Sequence, residues 1–171
     1  PSVEVIVLSS WFGQYLVGNT LLKSPRAFDE NGTGAVTEIE GSEEIAVEQL
    51  SASIKAVRNL GKRVVVVAPP PMSTFDIGRC HELLANSKTF FGADTQTCEI
   101  LVQRYRSRRQ GVLTLLNRIS QELDVAVVDL AGTLCRTERC ATKLNGIILY
   151  RDDGHLSVDG SRELGRQIDL A

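Results

Sequence analysis

Three short apolar runs rich in β-branched residues most constrain how this chain can fold. They are Val3–Leu8, Arg63–Ala68 and Asp124–Leu130. Each run is brief and almost continuously apolar, which is typical of strands that are buried on both faces of a parallel sheet. Such strands require helices that cover the sheet, and the intervening sequence supplies them.

Amphipathic segments separate these runs. Ser42, followed by two glutamates, is a suitable N-cap for a helix whose apolar residues recur at spacings of three and four. Residues 12–41 show no sustained period and are predicted to form a long surface loop. The predicted helices cover about 42–60, a short segment capped by Asp76 and running to Leu84, about 95–122, and a last segment capped by Ser157.

The alternation of strands and helices predicts an α/β fold with a parallel sheet and helices on both faces. We expect the three strands to be adjacent and parallel in chain order. The helices at 42–60 and 95–122 should share one face of the sheet, and the last helix should cover the other. A length of 171 residues, with no repeat or linker, predicts a single domain over 1–171.

Composition excludes several classes of protein. The net charge of −2 argues against a protein that coats nucleic acid through bulk charge. No run reaches the roughly 18 apolar residues that a membrane-spanning helix needs. Ordinary hydrophobic and charged fractions, 43% and 23%, argue against disorder and coiled coil.

Asp152 and His155 are the leading candidates for catalysis. A carboxylate three residues before a histidine can fold back in one turn and accept from the imidazole Nδ1–H. This contact fixes the tautomer in which Nε2 acts as a general base. The alternative is that Asp152, Asp153 and Gly154 are only turn residues, because Asp-x-x-His is a short and common pattern.

The run from Leu149 to Gly160, Leu-Tyr-x-Asp-x-x-His-Leu-Ser-x-x-Gly, resembles the last sequence block of the SGNH hydrolase superfamily. More narrowly, it resembles the extracytoplasmic SGNH domain fused to membrane acyltransferases that acylate cell-surface polysaccharides. Val5–Trp11 is similar to that family's strand ending in tryptophan, and Val127–Cys140 to its later strand followed by a cysteine pair. The resemblance implies an SGNH/flavodoxin-like three-layer sandwich that lacks its first strands. It also implies that Asp152 and His155 are the acid and base of a Ser-His-Asp triad.

The nucleophile is the point at which this sequence departs from the family. The family's serine lies in a Gly-Asp-Ser block, which is absent here. Ser9 and Ser10 lie at a strand's carboxyl end but do not follow Gly-Asp. Because the sequence starts at Pro1 rather than Met, we expect an upstream segment that carries the serine; the alternative is an inert domain. Without the family's first strand, Val5 and Val7 would border an open sheet edge.

Trp11 is a candidate substrate-binding residue, because aromatic faces suit carbohydrate; the alternative is a tryptophan that only packs. It would shape the mouth of an acyl or sugar site. The sequence offers Asn19, Asn31 and Asn86 as oxyanion donors and selects none of them.

The four cysteines form two candidate disulfides. Cys135 and Cys140 are close in a turn-rich loop, and a bond between them would place their Cα atoms roughly 4.4–6.8 Å apart. Cys80 and Cys98 form the second pair, with two thiols as the alternative. The resemblance implies a periplasmic, membrane-anchored domain, in which disulfides persist. The spacing does not fit the usual zinc pairs, and no metal site is predicted.

The arginines of the long helix and His81 are interpreted as surface residues. Arg104, Arg106, Arg108 and Arg109 form a basic cluster on the long helix, which is interpreted as a solvated face. The alternative for this cluster is contact with anionic glycan or lipid headgroups. His81 is interpreted as a surface residue.

The resemblance implies O-acyl transfer or ester hydrolysis on a cell-surface polysaccharide such as lipopolysaccharide, O-acetylation for example. The partners would be a membrane acyltransferase domain of the same chain, which supplies the acyl donor, and a carbohydrate acceptor; no cofactor is implied. Residues 1–171 alone are expected to be inactive. The alternative is a non-catalytic glycan-binding or docking module. A metal-dependent phosphatase or receiver-like domain using Asp152, Asp153 and Asp159 fits less well, because such aspartates lie at strand ends.

Overall fold

The computed structural model describes residues 3–13, 26–28, 36–38, 42–88 and 97–168. The strands in these ranges are β1 (Val5–Ser9), β2 (Arg26–Phe28), β3 (Val36–Glu38), β4 (Arg63–Val67), β5 (Ile100–Leu101), β6 (Ala126–Val128), β7 (Arg139–Cys140), β8 (Lys143–Leu144) and β9 (Ile147–Ile148). The helices are α1 (Glu43–Asn59), α2 (Ile77–Ala85), α3 (Val102–Leu123), α4 (Leu130–Leu134) and α5 (Val158–Gly165).

The three apolar runs form one sheet in the order β1-β4-β6. β1 runs parallel to β4, with Val5 opposite Arg63 and Ser9 opposite Val67. These observations confirm the predicted α/β fold with a parallel sheet. The third strand is shorter than predicted because Asp129 caps α4 instead of extending β6. Its carboxylate accepts from the Ala131 N–H at 2.9 Å.

The chain falls into two compact units, which are described separately. The first unit contains residues 1–68 and 109–127. Alternate residues of β4, Val64 and Val66, point to one side and join its hydrophobic core. α1 and α3 supply most of the rest of that core and therefore share one face of the sheet, as predicted. Their core residues are Ala46, Val47, Ile54, Val112, Leu115, Leu116 and Ile119.

β1 is an outer strand among the described strands of this sheet. Val7 is 45% exposed, whereas its register partner Val65 is buried. Val5 is half-buried. The apolar edge expected at these positions is therefore present within the described residues.

The second unit contains residues 69–108 and 128–171. It holds α2, α4, α5 and two antiparallel strand pairs, β5–β7 and β8–β9. The β8–β9 turn is Asn145-Gly146, with φ of 49° and 84°. Both central residues of a two-residue hairpin turn of this type need positive φ, which Asn-Gly adopts readily. The place of α5 on the far face of the sheet and the single-domain organisation remain predictions.

Two segments differ from the prediction. Residues 12–41 contain the antiparallel pair β2–β3, with Arg26 opposite Glu38. Three-residue strands are too short to give a period that can be recognised from sequence. The long helix begins at Val102 rather than near residue 95, because Ile100 and Leu101 pair with β7.

Disulfides join Cys80 to Cys98 and Cys135 to Cys140, so none of the four cysteines is a free thiol. The Cα atoms of Cys135 and Cys140 are 3.7 Å apart, closer than the expected range. These two residues also face each other as an antiparallel bridge, which brings their backbones together in addition to the disulfide. Among the described residues, no helix has the length and apolar character needed to cross a membrane.

Candidate active site

Asp152 and His155 lie in a short loop between β9 and α5, and their side chains are hydrogen-bonded. The His155 Nδ1 atom is 2.9 Å from Oδ1 of Asp152 and 3.0 Å from Oδ2. The same Oδ1 accepts from the backbone N–H of His155 at 2.8 Å and of Gly154 at 3.1 Å. One carboxylate therefore fixes both the backbone of the loop and the orientation of the imidazole.

The Asp–His loop, residues 150–156, is closed by backbone contacts between its two ends. Tyr150 and Leu156 form an antiparallel bridge, and the Arg151 N–H donates to the His155 carbonyl at 2.9 Å. α5 begins directly afterwards. Its N-cap is Ser157, as predicted, and the Ser157 hydroxyl accepts from the Gly160 N–H at 2.9 Å. The loop is thus held between a bridge and a capped helix.

The Asp152 carboxylate is charged at neutral pH. Burial raises the pKa of this carboxyl, but the hydrogen bonds that it accepts outweigh burial. The donors are the backbone N–H groups of Gly154 and His155 and the side chains of His155 and Arg151, and they hold the pKa of Asp152 well below its usual range.

The charge on Asp152 determines what His155 can do. An ionised carboxylate only accepts hydrogen bonds, so Nδ1 of His155 carries the proton in this contact. In the neutral ring Nε2 is then a proton acceptor, which is what a general base requires. The His155 side chain is 60% exposed and that of Asp152 29%, so a reactant can approach the base while the acid is more sheltered.

Asp152, Asp153 and His155 also bring potential metal-ligand atoms within 4.8 Å of one another. However, both oxygens of Asp152 already accept hydrogen bonds from the loop, and Nδ1 of His155 donates to them. Asp159 lies in the first turn of α5 and pairs with Arg162 at 3.3 Å. These contacts favour an acid–base pair over a cation site.

Trp11 lies after β1 in the first unit, and Arg109 stacks on it. The guanidinium carbon of Arg109 is 4.3 Å from the centroid of the indole ring. Arg109 is only 4% exposed, so its assignment to a solvated basic face was wrong; a planar guanidinium can be buried against an aromatic face. Arg104, Arg106 and Arg108 are exposed. A role for Trp11 in substrate binding remains a prediction.

Other candidate residues are placed as follows. Ser9 is the exposed last residue of β1, and the half-buried Ser10 follows it. Asn86 caps the C-terminus of α2, and its amide donates to the Glu82 carbonyl at 2.8 Å. Asn19 and Asn31 lie outside the described residues.

His81 is not the simple surface residue that the sequence suggested. It is half-buried on α2, and its Nε2 atom is 2.9 Å from the hydroxyl of the buried Thr142. That hydroxyl donates its one proton to the Cys98 carbonyl at 3.0 Å. Therefore Nε2 of His81 carries a proton and donates to Thr142. The partner is 61 residues away, and no local pattern indicates it.

Acid should weaken the fold through His81. Burial, with a smaller contribution from Lys143, lowers the pKa of His81. The unfolded chain then binds this proton more readily, so the contribution of His81 to stability is complete above about pH 6.5 and is lost as the pH falls through the lowered value. In urea titrations between pH 8 and pH 5, wild type should lose more stability than His81→Gln. Parallel pH profiles for the two proteins would contradict this.

Comparison with known proteins identifies the family. Residues 1–170 match the family described as "SGNH domain (fused to AT3 domains)". The chain belongs to this family. This confirms the resemblance found in the sequence, and it places the Asp–His loop in an SGNH domain.

One solved structure with the same fold is the lipopolysaccharide acetyltransferase periplasmic domain of Salmonella ser. Paratyphi A. The TM-score is 0.52 at 18% identity, and the match covers 96% of this SGNH domain and 55% of that chain. The domain thus spans about half the length of that structure, and at this identity the similarity concerns the fold. No match was found among curated proteins.

Proposed function

We propose that this SGNH domain takes part in the transfer of an acyl group to or from a cell-surface polysaccharide by a Ser-His-Asp mechanism. The observation that carries the proposal is the hydrogen-bonded Asp152–His155 pair, with a charged acid and an exposed base. Membership of a family fused to AT3 acyltransferase domains supports acyl transfer as the type of chemistry. The similar periplasmic domain of a lipopolysaccharide acetyltransferase supports a carbohydrate acceptor and a periplasmic location.

The reaction proceeds in two steps. The serine oxygen attacks the acyl carbonyl while Nε2 of His155 takes the serine proton, and the leaving group departs with that proton. His155 then takes a proton from a sugar hydroxyl or from water, whose oxygen attacks the acyl carbonyl. The bond between the acyl group and the serine oxygen breaks, and Nε2 of His155 returns the proton to that oxygen, which regenerates the serine. In both steps Asp152 holds the Nδ1–H and stabilises the imidazolium.

The serine is proposed to lie outside these 171 residues. The sequence contains no Gly-Asp-Ser block, and Ser9 and Ser10 do not follow Gly-Asp. The natural protein would supply the nucleophile from an upstream segment. Its membrane acyltransferase domain would deliver the acyl donor and anchor the SGNH domain in the periplasm.

Labelling of the nucleophile tests this proposal. In the natural protein, we expect a serine-reactive phosphonate to modify a Gly-Asp-Ser serine outside residues 1–171. Substitution of that serine by alanine should abolish both labelling and turnover, whereas Ser9→Ala and Ser10→Ala should retain both. Labelling of Ser9 or Ser10, or robust hydrolysis of a simple acetyl ester by residues 1–171 alone, would overturn the assignment.

A further inference from the structure

The backbone of the Asp–His loop is held from outside by the first turn of α2 and the residues before it. The Ile77 N–H donates to the Asp152 carbonyl at 3.3 Å, and the Ser73 N–H donates to the Asp153 carbonyl at 2.8 Å. A Cβ atom on Gly78 would overlap the carbonyl oxygen of Arg151. Three consecutive loop carbonyls therefore meet the 73–78 backbone.

These contacts use groups that the helix itself does not need. The first N–H groups of an α-helix have no partner within it. Ile77 is the first residue of α2, and it directs its N–H to Asp152. The N-cap Asp76 meanwhile satisfies the Arg79 N–H at 2.7 Å.

Gly78 is explained by the same contact. Glycine lowers helix stability by about 1 kcal/mol relative to alanine, so a glycine in the first turn of α2 needs another reason. The closeness of the Arg151 carbonyl supplies it, because any side chain would collide with the loop. A glycine within a helical pattern was the sequence signal that could have indicated this position.

α2 is firmly anchored within the second unit. The buried Cys80 is bonded to Cys98, and the next residue, His81, donates to Thr142. Ile77 is fully buried. A helix fixed by a disulfide, a hydrogen bond and core packing is a rigid support for the loop that rests on it.

We propose that the first turn of α2, with Gly78 at the contact, is the positioning element of the Asp152–His155 pair. A shift of the Arg151 and Asp152 carbonyls would move the Asp152 carboxylate. Its Oδ1 atom would then lie farther from the three N–H groups that donate hydrogen bonds to it. The consequence for catalysis rests on the proposed function, because misplacement of a catalytic group by about 1 Å can cost about 10²-fold in rate. The placement of the pair itself can be measured without any activity.

Gly78→Ala tests the proposal, with Gly132→Ala as the matched control. Gly132 lies in α4, and a Cβ there would meet nothing within 4 Å. A carbon-13 NMR titration should show the Asp152 pKa moving towards its ordinary value, by about one unit or more, in Gly78→Ala and not in Gly132→Ala. An unchanged Asp152 titration in folded Gly78→Ala would overturn the proposal.

If Gly78→Ala does not fold, hydrogen exchange in the unmodified chain tests the proposal instead. The Ser73 and Ile77 amides should exchange at least about 10²-fold more slowly than in an unstructured chain. Exchange of both amides at unstructured rates would overturn the proposal. If these readouts hold and the natural protein shows no acyl transfer, the proposed function fails and the positioning role stands. If the positioning role and the proposed function both hold, Gly78→Ala should lower kcat of the natural protein with little change in KM.

Discussion

Replacing His155 with alanine in the natural protein should lower acyl-transfer turnover by about 10⁴-fold or more, because the serine loses its general base. The estimate is the loss typical of triad members, which act as one unit. The fold should be retained, since the side chain is 60% exposed. The measurement is kcat for acyl transfer to the polysaccharide, with circular dichroism to verify folding.

The same variant separates the enzyme from the alternative function. A non-catalytic glycan-binding or docking module would not need a base at position 155. If His155→Ala retains full turnover in a folded protein, the Asp152–His155 pair is not the catalytic acid–base pair. Turnover within a few-fold of wild type would then favour the module.

Asp152→Asn should reduce turnover by roughly 10³- to 10⁴-fold, and Asp153→Asn is its matched control. The amide of asparagine cannot supply the negative charge that stabilises the imidazolium, and it no longer selects the Nδ1–H tautomer. Asp153 is the adjacent carboxylate, and its described hydrogen bond uses the backbone carbonyl. We expect less than about a threefold effect for Asp153→Asn. Equal losses in both variants would indicate that only the local negative charge matters.

Local features of the fold were predictable from the sequence. Ser42, Asp76 and Ser157 each accept from the N–H three residues later, as N-caps do. The Asp152–His155 contact belongs to the same class, because the two residues are three positions apart in the sequence. Each of these predictions depends on geometry within one turn of the chain.

Contacts between distant residues were not predictable. The bond between His81 and Thr142 spans 61 residues, and the contact of Gly78 with the Arg151 carbonyl joins two separate elements. The sequence places Arg109 in a basic cluster that was interpreted as solvated, whereas the structure places its guanidinium on the ring of Trp11. Sequence periodicity shows which face of a helix is apolar but not which polar group lies opposite. The support of the Asp–His loop therefore emerged only from the structure.

The tautomers of the two histidines test the central claim most directly, and residues 1–171 suffice for the experiment. The structure assigns them opposite forms, since Asp152 accepts from Nδ1–H of His155 whereas His81 donates from Nε2–H to Thr142. Nitrogen-15 NMR at a pH where both rings are neutral distinguishes the two forms, and His81→Gln assigns the signals. We predict that His155 is the Nδ1–H tautomer, with Nε2 able to take a proton from a serine. Finding His155 as the Nε2–H tautomer would contradict its role as the general base.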